Sequence, residues 1–166
     1  TYLRLNTDCQ ELAYVLKPGE KEAPAFLRDA LEDGNRVQDY LTQNMIAGRT
    51  GNEILAQSLE AAKKANLRPA IYTHPLGSYG HSAGTTIGMW DSQGGVMKDD
   101  GENYPLNPNT VYAIELNTTV YIPEWKRDIR VMLEEAGFFG ENGFRYVNER
   151  QTELLLIPRV SEHLGN

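Results

Sequence analysis

The stretch Leu106-Asn107-Pro108-Asn109-Thr110-Val111-Tyr112-Ala113-Ile114-Glu115-Leu116-Asn117 decides how this chain is read. From Val111 to Ile122 the residues are mostly β-branched, aromatic or aliphatic, the composition of a strand, and Glu115 is the one charge in that run. Such a carboxylate either lies near a strand end in water or is buried with a cation, because burying it unpaired is costly. A second apolar run, Ile129-Arg130-Val131-Met132-Leu133-Glu134-Glu135-Ala136-Gly137-Phe138-Phe139, carries two adjacent acids. Side chains alternate along a strand, so Glu134 and Glu135 must point to opposite faces. Whichever faces a core needs a partner or a metal, and a salt bridge with Arg127 or Arg130 is the plainer solution.

Working outward, Glu141-Asn142-Gly143 is a hairpin signal, followed by strand-like runs at Phe144 to Val147 and Thr152 to Ile157. Upstream, the order changes to strand, helix, helix, strand. Tyr2 to Leu16 is β-type, with a second short strand at Tyr14 to Leu16, and Lys17-Pro18-Gly19-Glu20 is a turn. Phe26, Leu27, Ala30, Leu31, Val37, Leu41 and Met45 recur at helical spacing, which predicts a helix from about Pro24 to Met45 with Gly34 weakening its middle. Gly48-Arg49-Thr50-Gly51 ends it, and Thr50 or Asn52 caps a second helix carrying Ile54, Leu55, Leu59 and Ala62. Ala70-Ile71-Tyr72 starts a strand that enters a Gly-, His- and Ser-rich stretch, and 99–109 is a polar loop. A strand pair, a helix pair and several antiparallel strands in that order give the α+β class.

The 166 residues, 40% of them hydrophobic, suit one domain with a proper core. The net charge of −7 and the lack of a basic block argue against nucleic acid as a partner. No apolar run approaches a membrane span. A lone cysteine, Cys9, cannot form an internal disulfide. Its neighbours Asp8 and Glu11 disfavour a thiolate, so it is expected as a small, buried or half-buried strand residue. The chain opens as though in mid-strand, at Thr1-Tyr2-Leu3, from which an N-terminal truncation is expected.

Two of the three histidines lie in the glycine-rich stretch His74-Pro75-Leu76-Gly77-Ser78-Tyr79-Gly80-His81-Ser82-Ala83-Gly84. On composition alone they are hydrogen-bonded loop residues. Upstream, Leu3-Arg4-Leu5-Asn6-Thr7-Asp8 ends a strand at a carboxylate. Asp8, His81, Glu115 and Glu134 together make an oxygen-rich set with one imidazole, which suits Mn²⁺, Co²⁺ or Zn²⁺ rather than a thiolate zinc site.

These segments resemble the creatinase/methionine aminopeptidase family, whose fold is known as the pita-bread fold and whose proline-specific members are Xaa-Pro aminopeptidases and prolidases. Leu106-x-Pro108-x-x-Val111-x-x-Ile114-Glu115 is similar to the family's glutamate-ligand segment, with Asn109 where glycine is usual. Gly80-His81-Ser82-Ala83-Gly84 is similar to its ligand-histidine motif, Ile129-Arg130 and the following acids to its second glutamate strand, and Asn6-Thr7-Asp8 to its second aspartate.

The resemblance implies a single catalytic-type domain over 1–166, the C-terminal larger part of a pita-bread fold, with a helix pair packed on a curved antiparallel sheet. It implies a dinuclear site holding two divalent metal ions (Mn²⁺, Co²⁺ or Zn²⁺) on Asp8, His81, Glu115 and Glu134, the last preferred to Glu135 by counting back from the hairpin turn. His74 would be catalytic, stabilising the tetrahedral intermediate. The family's first aspartate would precede Thr1, and Trp90-Asp91 stands where a later catalytic histidine is usual. A second alignment puts Thr85 in the ligand-histidine place and implies a metal-free relative. The activity implied is hydrolysis at a peptide N-terminus, with Xaa-Pro peptides as the substrates of the nearest members, in the parent protein rather than in this chain. A peptide is the substrate, a homodimer the expected assembly and the cytoplasm the favoured compartment. The rival classes are a non-catalytic peptide- or protein-binding relative and a metal-free creatinase-like hydrolase.

Overall fold

The computed structural model describes residues 8–89 and 104–159, so expectations for 1–7, for Trp90-Asp91 and for 99–103 of the polar loop lie outside the described residues. The long strands come from the two runs that open the sequence reading. β4 (Thr110–Ile122) and β5 (Arg127–Gly140) pair antiparallel along their whole length, with Glu115 directly opposite Glu134. A short 3₁₀ turn at Pro123–Trp125 joins them, closed by Lys126 in the left-handed region at φ 51°. Asn109, immediately before β4, is also left-handed at φ 65°. Asparagine tolerates that conformation better than most side chains, which accounts for its standing where glycine is usual.

β6 (Gly143–Tyr146) extends the sheet through the two-residue Glu141-Asn142 turn, with Gly140 opposite Gly143. On the other side of β4 run β2 (Pro69–Ile71) and β3 (His74–Pro75). Ile71 lies opposite Leu116 and His74 opposite Ala113, so both keep one register along β4. At the interruption, Thr73 turns aside to exchange backbone hydrogen bonds with Ile87 at 2.9 and 2.7 Å. Separately, β1 (Ala13–Val15) pairs parallel with β7 (Leu155–Ile157). Just before β1, Gln10 bridges to Glu134 on the edge of β5.

Two helices, α1 (Ala25–Asn44) and α2 (Gly51–Lys64), lie close to the expected limits. Thr50 caps α2 in a capping box, accepting from Glu53 N while the Glu53 side chain accepts from Thr50 N. Their apolar stripes, including Leu31, Val37, Leu41, Ile54, Leu55 and Leu59, join Ile114, Leu116, Val131 and Leu133 in one core. Those strand residues are the even positions of β4 and the odd positions of β5, so the helices cover one face of the sheet. The other face carries Ala113, Glu115, Glu134 and Ala136. No helix among the described residues is long and apolar enough to cross a membrane.

Two sequence expectations need adjustment. Cys9 is exposed rather than buried, since the segment before β1 lies on the edge of the sheet. Gly34 does more than weaken α1: a Cβ there would meet Leu133 Cδ1 at 2.9 Å and Val131 Cγ1 at 3.1 Å, so its absence lets the helix approach β5. Gly34→Val should therefore destabilise the fold by about 1–3 kcal/mol through overpacking, although glycine is the poorer helix former. Denaturant midpoints of the two proteins check this, and an unchanged or raised midpoint would mean that helix propensity dominates.

Candidate metal centre

The pleat alone places four of the candidate residues on one surface. Directly opposed residues in neighbouring strands share a face, as do residues two apart along a strand. Gln10 opposes Glu134, Glu134 opposes Glu115, and Ala113, two before Glu115, opposes His74. Asp8, two before Gln10, falls on the same side. Four separate stretches of chain therefore deliver Asp8, His74, Glu115 and Glu134 to the face away from the helices. In the middle stand Ala113, fully buried, and Ala136 directly opposite it. Their small side chains leave room between the polar groups around them.

The distances bear this out. His74 Nε2 lies 3.6 Å from Glu115 Oε2 and 3.8 Å from Asp8 Oδ2, too long for hydrogen bonds. Donor atoms of His74, Glu115 and Glu134 all lie within 4.8 Å of one another, as do those of Asp8, His74 and His81. Nδ1 of His74 is 3.1 Å from the Pro75 carbonyl. With Nδ1 donating to that carbonyl, the Nε2 lone pair points toward the carboxylates, the usual arrangement of a metal-ligating imidazole. Among the described residues four buried side-chain atoms lack a hydrogen-bond partner, and two of them, His74 Nε2 and Glu134 Oε1, belong to this cluster. Buried polar atoms are nearly always satisfied. Two such atoms in a cluster whose donor atoms lie within 4.8 Å of one another fit a divalent cation chemically: one imidazole and several hard oxygens suit Mn²⁺, Co²⁺ or Zn²⁺.

Around this set the supporting bonds are specific. Gln10 Nε2 donates to Glu134 Oε2 at 2.7 Å, which fixes that oxygen and leaves Oε1 as the free one. The Glu115 carbonyl accepts from Tyr72 N at 3.0 Å and from Thr73 Oγ1 at 3.1 Å. The Tyr72 ring stands 5.3 Å from the His74 ring and walls that side. Glu135 points to the helix face, where its Oε1 accepts from Gln151 N at 2.9 Å.

Burial pushes the Glu134 carboxyl up to about 7; the Gln10 hydrogen bond opposes this, and the charges of Glu115 and Asp8 add to it. At His74, burial lowers the pKa, but Glu115, the Pro75 carbonyl and Asp8 outweigh it, and the net shift is upward. Tyr72 is raised by burial and then by the charges of Glu115, Asp8 and Glu134.

The two imidazoles stand differently from their expected places. His81 was expected among the carboxylates with His74 beside it. In the structure the buried imidazole is His74, held there by the β3–β4 register. His81 is exposed, its ring 3.9 Å from that of His74, within reach of Asp8 but outside the group formed with Glu115 and Glu134. Thr85 is buried and donates to the Pro105 carbonyl at 2.7 Å. Gln10, Tyr72, Ala113 and Ala136 escaped the sequence reading. Each lies two residues from a candidate ligand, and that spacing on a strand was the signal available.

No family model matches the chain, and no curated protein matches its sequence. Among solved structures, it is similar to the X-Pro aminopeptidase of Thermotoga maritima, with a TM-score of 0.64 and 14% identity over 93% of this chain and 38% of that one. A dipeptidase of Mycobacterium ulcerans gives a TM-score of 0.60 and 20% identity over 92% and 36%. The N-terminal domain of a FACT complex subunit from Cicer arietinum gives 0.57 and 10% over 80% and 31%. The chain spans less than two fifths of the length of each of these proteins. At such identities the likeness establishes the fold, which is pita-bread-like: two helices packed on an antiparallel sheet.

The raised Glu134 pKa has a consequence for the protein with divalent metals chelated. Its folded value, about 7, lies above the ordinary 4.5 of the unfolded chain. The contribution of the neutral acid is therefore complete below about 4.5 and lost as pH rises through about 7. Urea unfolding should show stability falling across that window by on the order of 1–3 kcal/mol from this group. Glu134→Gln should remove most of the fall; an equal slope in the variant would assign it to other groups.

Proposed function

We propose that this chain carries the metal centre of a peptidase acting at a peptide N-terminus, with His74, Glu115, Glu134 and Asp8 as the residues that would hold a divalent ion. The observation that carries this reading is the pair of orphaned buried atoms, His74 Nε2 and Glu134 Oε1, in one cluster with Glu115. Similarity to an X-Pro aminopeptidase and a dipeptidase supports the choice of reaction, and Xaa-Pro peptides are the first substrates to try.

A divalent ion in that gap would supply Lewis-acid activation of water and of the scissile carbonyl. The protein's own residues do the rest. His74 is a ligand in this reading and His81 the acting imidazole, which exchanges the roles expected from the sequence. Exposed beside the cluster, His81 can donate a hydrogen bond to the oxyanion that develops on the substrate. Glu115, less buried than Glu134, is placed to pass a proton between water and the leaving amine. The acidic set also complements the ammonium group of a peptide N-terminus.

In this reading His74, Glu115 and Glu134, whose donor atoms lie within 4.8 Å of one another, would hold one ion. The dinuclear centre implied by the family resemblance would need further oxygens, including the second oxygen of Asp8. Stoichiometry by calorimetry decides between the two.

The likeness to a FACT complex subunit domain supports a second reading, a protein-binding module on the same fold. One experiment separates the two: titration of Mn²⁺ or Co²⁺ with an Xaa-Pro dipeptide assay on the full-length protein. Under the peptidase reading, His74→Ala abolishes metal binding and activity together. His81→Ala leaves metal affinity within about threefold but lowers kcat by about 10²–10⁴, the range of a lost acid–base or oxyanion partner. Activity indifferent to chelator and to His74→Ala would defeat the metal reading; no hydrolysis with any metal would favour the binding module.

A further inference from the structure

The segment carrying Asp8 and Gln10 needs something to hold it. Asp8 stands 3.8 Å from His74 Nε2, and its charge acts on Glu134, so its place depends on how the segment is tied to the sheet. Among the described residues its ties to β5 are Gln10 N to Glu134 O at 2.9 Å, the weaker Glu134 N to Gln10 O at 3.4 Å, and the Gln10 side chain on Glu134. The next anchor is at Leu12, whose O also accepts from Leu155 N at 3.1 Å. Gln151 Oε1 accepts from Leu12 N at 2.7 Å, and Gln151 Nε2 donates to Leu12 O at 2.7 Å. One side-chain amide thus makes both bonds that an opposed residue makes in an antiparallel ladder.

Gln151 is itself fixed. It is only 8% exposed, its N donates to Glu135 Oε1 at 2.9 Å, and its O accepts from Asn35 Nδ2 on α1 at 2.9 Å. All four of its polar groups are engaged, two toward the helix and β5 and two toward Leu12. Arg150, the preceding residue, reinforces the position by donating to Asp39 and to the Asn35 carbonyl.

We infer that Gln151 is a positioning residue for the metal centre. From 139 residues away in sequence it clasps Leu12 and so holds Asp8 and Gln10 at the site. This rests on the proposed metal site and adds to it: metal affinity is set in part on the opposite face of the sheet. Glu135 supports the clasp while its neighbour Glu134 faces the metal.

The test measures Mn²⁺ affinity by calorimetry in the full-length protein for four forms: wild type, Gln151→Leu, Asp8→Asn and the double variant. Gln151→Leu should weaken binding about 10-fold, the lower range for removal of a group that supports a ligand. In the Asp8→Asn background the same change should cost less than about twofold, because the clasp acts through Asp8. A purely structural glutamine would lower the unfolding midpoint but leave Mn²⁺ affinity alone, or lower it equally in both backgrounds; either result overturns the inference. Should Gln151→Leu fail to fold, Gln151→Glu keeps the acceptor for Leu12 N and loses the donor. It should weaken binding about threefold, by loss of one of two bonds, and no loss would overturn the inference.

Absence of Mn²⁺ binding by the wild type would instead defeat the site reading. Amide exchange then judges the clasp: faster exchange at Gln10 N in Gln151→Leu supports it, and unchanged exchange defeats it.

Discussion

The interaction on which the rest of the structure depends is the pairing of Glu115 with Glu134 across β4 and β5. Two carboxylates directly opposed on adjacent strands repel, and burial of one raises the cost. A sheet tolerates this only where something else settles the charge. Protonation of Glu134 is one answer and a bound cation the other. The surroundings suit the cation: His74 brings an imidazole already oriented by its Nδ1, Gln10 occupies one oxygen of Glu134, and the alanines in the middle leave space. The helix face of the same strands holds ordinary aliphatic residues, which supply the core that offsets the strain on the site face.

Much of this was legible in the sequence where residues act through their own strand or helix. The periodic stripes of α1 and α2, the Thr50 cap, the Glu141-Asn142 turn and the two long strands all follow from local pattern. Glu115 and the Glu134-Glu135 pair stood out because charge interrupts an apolar run. The assignment of the two histidines was not legible in the same way. His74 lies on a strand of only two residues, His74–Pro75, too short to show a period. Its neighbourhood is set by pairing with Ala113, 39 positions further along, and the glycine-rich stretch gave no reason to prefer one imidazole over the other.

The polar supports were harder still. Gln10 and Gln151 look like unremarkable surface amides, and their meaning arises only where the chain brings residue 12 beside residue 151. Glycine at position 34 read as a helix weakness because its benefit lies in another element, at Val131 and Leu133. Such positions share a cause: the sequence displays a residue's own preference, while their value comes from a contact with a distant partner. Cys9 belongs with them, since a strand-like segment on a sheet edge exposes what a central strand would bury.

The adjacency of Glu134 and Glu135 shows how closely the two faces are tied. A one-residue slip of β5 would exchange their faces, sending Glu134 under α1 and Glu135 toward His74. In the observed register each has its own partners, Gln10 on one side and the Gln151 backbone on the other. Either acid moved to the other face would lose its present hydrogen bond, and a buried group left unsatisfied costs roughly 1–3 kcal/mol. The polar network around Gln151 therefore sets register as well as stability. A doublet of acids that is costly in an apolar strand becomes, with partners on both faces, the feature that fixes which residues face the candidate metal centre.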